Sequence, residues 1–315
     1  MEGLASLSAA TLLFSLLMYL MLDGTDLGVG MLFLWIKDEE PRRRMAHSML
    51  PIWDANETWL VLLAGGTLAL FPGVYAGALS LLYIPVFLLL LSLILRAMAL
   101  EYRDKASKRV RAFLDLVLPL ASCLAAFSQG FCAGTLVSHL LSNDAVKGFG
   151  IFPILCGLGL MSIYLLLGCG WLRWRIGEPV GKQAGYLSGC FFILCGVLCI
   201  AVMLLAPLPW RLAWQSAAGK ALSLMILLLL LAMIIVLKRG GGLLQLIVTL
   251  ALMTAIVLLL ATGFYWLSAN NLISLADAAS SKTTQVVMLV GSAVVIPLTL
   301  AYHSWVFWLF RGKVL

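Results

Sequence analysis

Apolar residues run in long unbroken stretches along the whole chain, and polar positions gather in short groups between them. The stretches are too long for strands and lack a period-two alternation, which excludes a transmembrane β-barrel. About 20 consecutive apolar residues suffice to cross a bilayer as a helix. Nine spans are expected, near 4–35, 45–70, 76–100, 113–139, 149–172, 185–206, 217–237, 243–267 and 286–310. The pattern predicts an all-α polytopic membrane protein of about nine transmembrane helices, arranged as two four-helix bundles plus one peripheral helix. No connection is long enough for a separate soluble domain. Residues 1–315 therefore read as a single transmembrane domain, with halves at 1–140 and 149–268 and an extra helix at 286–310. The first stretch follows an acidic Met1-Glu2-Gly3, is as long as a full span and ends without a small-residue cleavage site. It reads as a retained helix, not a signal peptide.

Composition agrees with the pattern. Of the residues, 63% are apolar and 11% charged, against about half and about a quarter in a soluble domain. A water-soluble enzyme and a disordered chain are both excluded. The net charge of +7 is a topology signal, and no nucleic-acid partner is expected from it. One side of the membrane is assigned Lys37, Arg42, Arg43, Arg44, Arg103, Lys105, Lys108, Arg109, Arg111, Arg173, Arg175, Lys182, Lys238, Arg239, Arg311 and Lys313. The other side is assigned only Lys147, Arg211, Lys220 and Lys282, and Arg96 remains inside a span. The Lys/Arg bias places the N-terminus in the periplasm and the C-terminus in the cytoplasm. An odd number of spans demands the same split. Trp35, Trp171, Trp174, Trp210, Trp214, Trp305 and Trp308 fall near span ends, as interfacial anchors do. The seven cysteines lie within apolar runs without a CxxC pair and read as packing residues. No metal site is expected.

Ionisable residues inside the spans are the informative exceptions, because each costs at least about 2.5–3.5 kcal/mol at mid-membrane. Asp23 and Asp26 lie in the first span, Asp54 and Glu57 in the second and Arg96 in the third. With span two starting near Met45, a rise of 1.5 Å per residue puts Asp54 ~14 Å and Glu57 ~18 Å deep. Asp23 and Asp26 fall ~28–33 Å from the outer end of span one. All five are thus expected in the cytoplasmic half of three consecutive helices. Asp23/Asp26 and Asp54/Glu57 are i,i+3 pairs, each sharing a helix face. Neighbouring carboxylates repel, so a proton is expected to be held among them. Two readings stay open: a proton access route from the cytoplasm, or a structural network in which Arg96 neutralises an acid. Gly24, Gly28, Gly30, Gly65 and Gly66 suggest close helix approach. His47, His139 and His303 are the only histidines and do not form a matched pair for a bis-His haem.

Several segments together resemble subunit II of cytochrome bd-type quinol oxidases. They are Asp23-Gly-Thr-Asp-Leu-Gly-Val-Gly30, Arg43-Arg44-Met45, Pro51-Ile-Trp-Asp-Ala-Asn-Glu-Thr-Trp-Leu60, Ala64-Gly65-Gly66, Phe71-Pro72 and Tyr75-Ala76. Leu95-Arg96 with Glu101-Tyr102-Arg103, and Ala276-Asp277-Ala278-Ala279-Ser280-Ser281 before Val295-Ile296-Pro297, fit the same family. Thr25 and Ala55 depart from it, standing where the family usually has an aromatic residue and Gly. The resemblance implies a respiratory quinol:oxygen oxidoreductase in the bacterial inner membrane, reducing O2 to water. It implies a haem-bearing subunit I with two b-type haems and one d-type haem, and a subunit II that ligates no haem. Small single-span accessory subunits, the quinol pool and lipid are the other implied partners, and some members hold a structural quinone in subunit II. The family's proton-path Asp corresponds to Asp54, and a Trp near its oxygen route corresponds to Trp59. A proton-coupled secondary transporter and a purely structural membrane scaffold are the alternative functional classes.

Overall fold

A computed structural model describes residues 2–141, 150–269, 275–310 and 312. The predicted cations Lys147, Arg311 and Lys313 lie outside them. The described residues fold into α1 (Glu2–Leu32), α2 (Glu39–Met49), α3 (Trp53–Leu70), α4 (Pro72–Tyr102), α5 (Lys108–Leu141), α6 (Ile151–Arg175), α7 (Val180–Leu205), α8 (Pro207–Ala213), α9 (Ala217–Arg239), α10 (Gly242–Ala269), α11 (Leu275–Ala278) and α12 (Lys282–Leu309). Eight of these are long and apolar enough to cross a membrane: α1, α4, α5, α6, α7, α9, α10 and α12. The remaining expected span, 45–70, ends in α3, whose first two turns carry Asp54, Asn56 and Glu57.

The second span is not one continuous helix. Its first part belongs to α2, and the chain breaks at Leu50–Ile52 before α3 begins. Pro51 has no amide hydrogen and crowds the preceding turn, so a helix does not run through it here. The polar sequence Glu39-Glu-Pro-Arg-Arg-Arg44 keeps α2 at the membrane end rich in Lys and Arg, the basic end below.

α1 packs against α3, α5 and α6, while α4 packs along α5 and touches α3. α6 meets α5, α7 and α10, and α9 lies along α10. α12 rests on α1 and α3. It is tied there by Ser8 Oγ donating to Gln285 Oε1 (3.2 Å) and by the Ser280 amide donating to the Leu70 carbonyl (2.8 Å).

The crossing of α1 and α6 depends on glycine. A Cβ on Gly28 would lie 1.9 Å from the Tyr164 carbonyl oxygen, and one on Gly168 would lie 2.4 Å from the Gly28 carbonyl carbon. These obstacles are backbone, so the helices themselves would have to separate. Gly28→Ala should therefore cost about 1–3 kcal/mol by overpacking, read as a lower thermal midpoint of the detergent-solubilised protein. An unchanged midpoint would contradict this contact. Gly65 behaves differently from the expectation, because among the described residues no other helix comes within 4 Å of where its Cβ would be.

Several predicted loop cations are built into the fold at the basic end. Arg42 donates to the Ile36 and Phe33 carbonyls, both at 2.7 Å, satisfying groups left open at the end of α1. Arg42 and Arg103 both reach Asp115 of α5, at 3.4 and 2.6 Å. Arg103 is fully buried. Arg111 pairs with Glu39, and His47 Nε2 meets Asp104 Oδ2 at 2.5 Å. Partial burial pushes the Asp104 carboxyl up, but the hydrogen bond and charge of His47, together with Arg103, outweigh it and hold the group below its ordinary range. Trp171 is also not the interfacial anchor expected. It is buried, with Nε1 donating to Ser48 Oγ at 3.1 Å.

Candidate functional site

Four helices bring the intramembrane charges together. Asp23 and Asp26 on α1 are both 0% exposed, and Arg96 on α4 is 2% exposed. Arg96 Nη1 donates to Asp23 Oδ1 at 2.8 Å, and its Nη2 donates to Glu57 Oε1 on α3 at 2.5 Å. The guanidinium also lies over the Trp53 ring, 6.0 Å from its centroid. Asp26 Oδ2 accepts from Asn56 Nδ2 at 2.6 Å. On its other side, Asn56 Oδ1 meets His303 Nε2 of α12 at 3.2 Å.

The cluster thus holds one guanidinium against three carboxylates. Asp26 Oδ1 and Arg96 Nε are buried and make no hydrogen bond within the chain. The Glu57 side chain is 28% exposed and forms the opening of the cluster. Depth follows from the observed helix ends. At 1.5 Å per residue, Arg96 and Asp26 lie ~9 Å inside the ends of their helices, Asp23 ~14 Å and Glu57 ~6 Å from the start of α3. Because α3 begins at Trp53 and not near Met45, Asp54 and Glu57 are much nearer the basic end than the predicted ~14 and ~18 Å.

Asp23, Asp26, Glu57 and Arg96 are therefore brought together, as their spacing suggested. Asp54 is not part of the contact network. It lies in the first turn of α3, exposed, and makes no ion pair among the described residues. With Thr58, Val61, Gly65 and Leu68 it forms an exposed stripe along α3. Trp59 faces inward and is fully buried. Its ring packs against Phe14 and His303, at centroid distances of 5.7 and 6.1 Å.

Sequence reasoning missed two branches of the cluster and one further charge centre. Asn56 joins Asp26 to His303, as above. A second branch runs from Asp23 into the α1–α5–α6 interior, where Tyr19 lies one helical turn before it on α1. Gln129 Nε2 donates to Tyr19 Oη at 2.7 Å, and Tyr164 Oη donates to Gln129 Oε1 at 2.6 Å. A lone amide in the apolar span 113–139 was the available signal for Gln129. A third, separate charge centre is Asp115 with Arg42 and Arg103.

Two of the three histidines are engaged by protein groups. His47 is engaged by Asp104 at the basic end. Both nitrogens of His303 already face protein oxygens: Nδ1 meets the Thr299 carbonyl at 2.8 Å, and Nε2 meets Asn56.

The family model described as cytochrome bd terminal oxidase subunit II matches residues 4–310. The chain is 31% identical over 196 residues to the cytochrome bd-I ubiquinol oxidase subunit 2 of Escherichia coli K12, covering 56% of this chain and 52% of that protein. It is 32% identical over 179 residues to a probable cytochrome oxidase subunit 2 of Haemophilus influenzae, covering 53% and 47%. A cytochrome bd ubiquinol oxidase subunit 2 of Bacillus subtilis is 39% identical over 121 residues, 38% of this chain and 36% of that one. The matched stretch spans about half the length of the first two relatives. A chain from the structure of the bd oxidase of Geobacillus thermodenitrificans shares the fold, with a TM-score of 0.79, 16% identity and 98% of each chain covered. The eight long apolar helices and the bacterial relatives make this a multi-pass protein of the bacterial inner membrane. With the family model spanning nearly all of it, the chain belongs to the cytochrome bd terminal oxidase subunit II family.

Proposed function

We propose that this chain is the non-haem subunit of a quinol-oxidising oxygen reductase, and that its acid cluster admits cytoplasmic protons for the reduction of O2 to water. One observation carries the proton role: a single guanidinium faces three carboxylates, one of which opens to the surface. A network serving packing alone needs balanced charge, because an unpaired buried charge is costly. An excess of acids over bases is the composition of a proton route inside a membrane. The bias of Lys and Arg towards the basic end supports a cytoplasmic opening. Taking protons from that side while quinol releases its own outside separates charge across the membrane.

The partner is subunit I, carrying the haems, and the exposed stripe of α3 is its seat. Asp54, Thr58 and Gly65 are polar or small, as in helix contacts within membranes, and poorly suited to face lipid. In this setting Asp54 stands at the entrance beside Glu57, and Trp59 lines the inner wall of α3. Single-span accessory subunits and a structural quinone belong to the same proposal by family resemblance, and halves at 1–140 and 149–268 by the grouping of the spans. A secondary transporter is the alternative class, but its substrate would bind at broken helices near the bilayer midplane, whereas the break at Leu50–Ile52 lies at the basic end.

Asp54→Asn in the complex co-expressed with subunit I should slow quinol oxidase turnover by about tenfold or more, the scale of a lost proton-transfer group. The haem spectra should remain unchanged. Full turnover would remove Asp54 from the route, and haem spectra from this chain expressed alone would overturn the non-haem assignment.

A further inference from the structure

The contacts of His303 restrict where protons can be. Its Nδ1 faces the Thr299 carbonyl at 2.8 Å, and a carbonyl only accepts, so Nδ1 carries a hydrogen. Its Nε2 faces Asn56, whose amide spans the gap to Asp26. An amide has one accepting end and one donating end. With the oxygen towards His303 and the nitrogen towards Asp26, Nε2 must also donate. The pair is then an imidazolium and a carboxylate. With the amide turned over, its nitrogen donates to Nε2 and its oxygen must accept from a protonated Asp26. The pair is then a neutral imidazole and a carboxylic acid. Both arrangements satisfy every contact, and both contain the same number of protons.

We propose that Asp26 and His303 hold one exchangeable proton between them, with the Asn56 amide turning over according to which of the two carries it. This rests on the proton-access reading above and extends it. The acid cluster would not end on α1 but continue through α3 to α12. Passing from the second arrangement to the first breaks one O–H bond at Asp26 Oδ2 and forms one N–H bond at His303 Nε2. The amide gains and loses nothing overall. The electrostatic setting is asymmetric. Asp26 is faced by Arg96, Asp23 and Glu57. His303 is faced by Asn56 and Trp59 from α3, and by Thr299 and Tyr302 of its own helix, none of which is charged. A proton added to or drawn from the cluster would thus shift the balance at Asp26, and the amide would transmit that shift to α12. His303 is 5% exposed, so its protonation is decided by these neighbours and not by bulk water.

His303→Gln keeps a hydrogen-bonding side chain that cannot be protonated, and Asn56→Leu removes the amide while leaving both ends. In the co-expressed complex, each should lower turnover by about tenfold or more and change the shape of its pH profile, with haem spectra and thermal midpoint retained. Nitrogen-15 resonances of labelled histidine provide an independent measure, with the His303 signals identified by their loss in H303Q. Over the range of pH in which the complex is active, both ring nitrogens should be found protonated in part of the population. Asp26→Asn should change that fraction. A His303 that stays neutral across this range overturns the proposal, as does full turnover with an unchanged pH profile in both variants. Asp26→Asn also separates the two levels of inference. If it slows turnover while H303Q and N56L do not, only the shared proton is lost. If it too leaves turnover intact, the proton-access reading falls with it.

Discussion

Arg96→Gln is expected to prevent accumulation of an assembled complex, measured as haem-containing oxidase per milligram of membrane protein. The guanidinium bonds Asp23 and Glu57 directly, with both the Arg96 and Asp23 side chains almost wholly buried. Removing one partner of a buried ion pair costs about 3–5 kcal/mol, and this change orphans two acids at once. That is comparable to the whole stability of a typical domain, about 5–15 kcal/mol. Arg96→Lys should recover only part of the loss, because a single ammonium lacks the planar fork that reaches both acids. The decisive comparison is the triple variant R96Q/D23N/E57Q. With both acids that Arg96 bonds neutralised along with it, no partner is orphaned and assembly should be restored, while turnover should stay low because two of the three acids are gone. A triple variant that assembles no better than Arg96→Gln would show that charge balance is not what Arg96 supplies. One that turns over at the full rate would show that Asp23 and Glu57 carry no protons.

Asp115→Ala is expected to have the second largest effect, through stability alone. Its carboxylate receives Arg103 at 2.6 Å and Arg42 at 3.4 Å, and the Arg103 side chain is 1% exposed. Both guanidinium groups also lie over the face of Phe33, at 6.0 and 5.7 Å. Truncating the acid leaves two cations crowded at the end of α1 with no buried counter-charge. A loss of about 3–5 kcal/mol is expected, seen as a lower thermal midpoint and faster proteolysis of the α4–α5 connection. Turnover per assembled complex should be unchanged, because Asp115 has no contact with the acid cluster. A slow but stable D115A complex would contradict this separation.

The two centres were unequally legible in the sequence. Asp23, Asp26, Glu57 and Arg96 stand out because a charged residue inside an apolar run is rare for an energetic reason, and i,i+3 spacing alone puts each acid pair on one face. Asp115 and Arg103 did not stand out. Near the end of a span, a charge counted by position is indistinguishable from one in a loop, and only packing shows that Arg103 turns inward. Asn56 and His303 were hidden for another reason. They lie 247 residues apart, and an amide or a histidine costs too little in a span to attract notice by itself. Trp171 shows the converse error. Its place near a span end suggests an anchor, yet the neighbouring helices cover it. Pro51 was in plain sight, but the hydropathy of 45–70 spoke for one span. The proline broke it in two, shifting Asp54 and Glu57 towards the basic end.

By itself the sequence determined that the chain is helical and membrane-spanning, which face is basic, and which acids are too costly to be accidental. These properties follow from length, hydropathy and charge, which are read locally along the chain. The tertiary structure alone decided that Asp54 faces outward and that Asp26 reaches α12 through Asn56. It also decided that Arg96 stands between Asp23 and Glu57, and that Arg42 and Arg103 converge on one aspartate. Those outcomes depend on helix rotation and on how closely helices approach. Both are set by pairwise packing, such as the Gly28–Gly168 contact of α1 with α6, and no single helix specifies them.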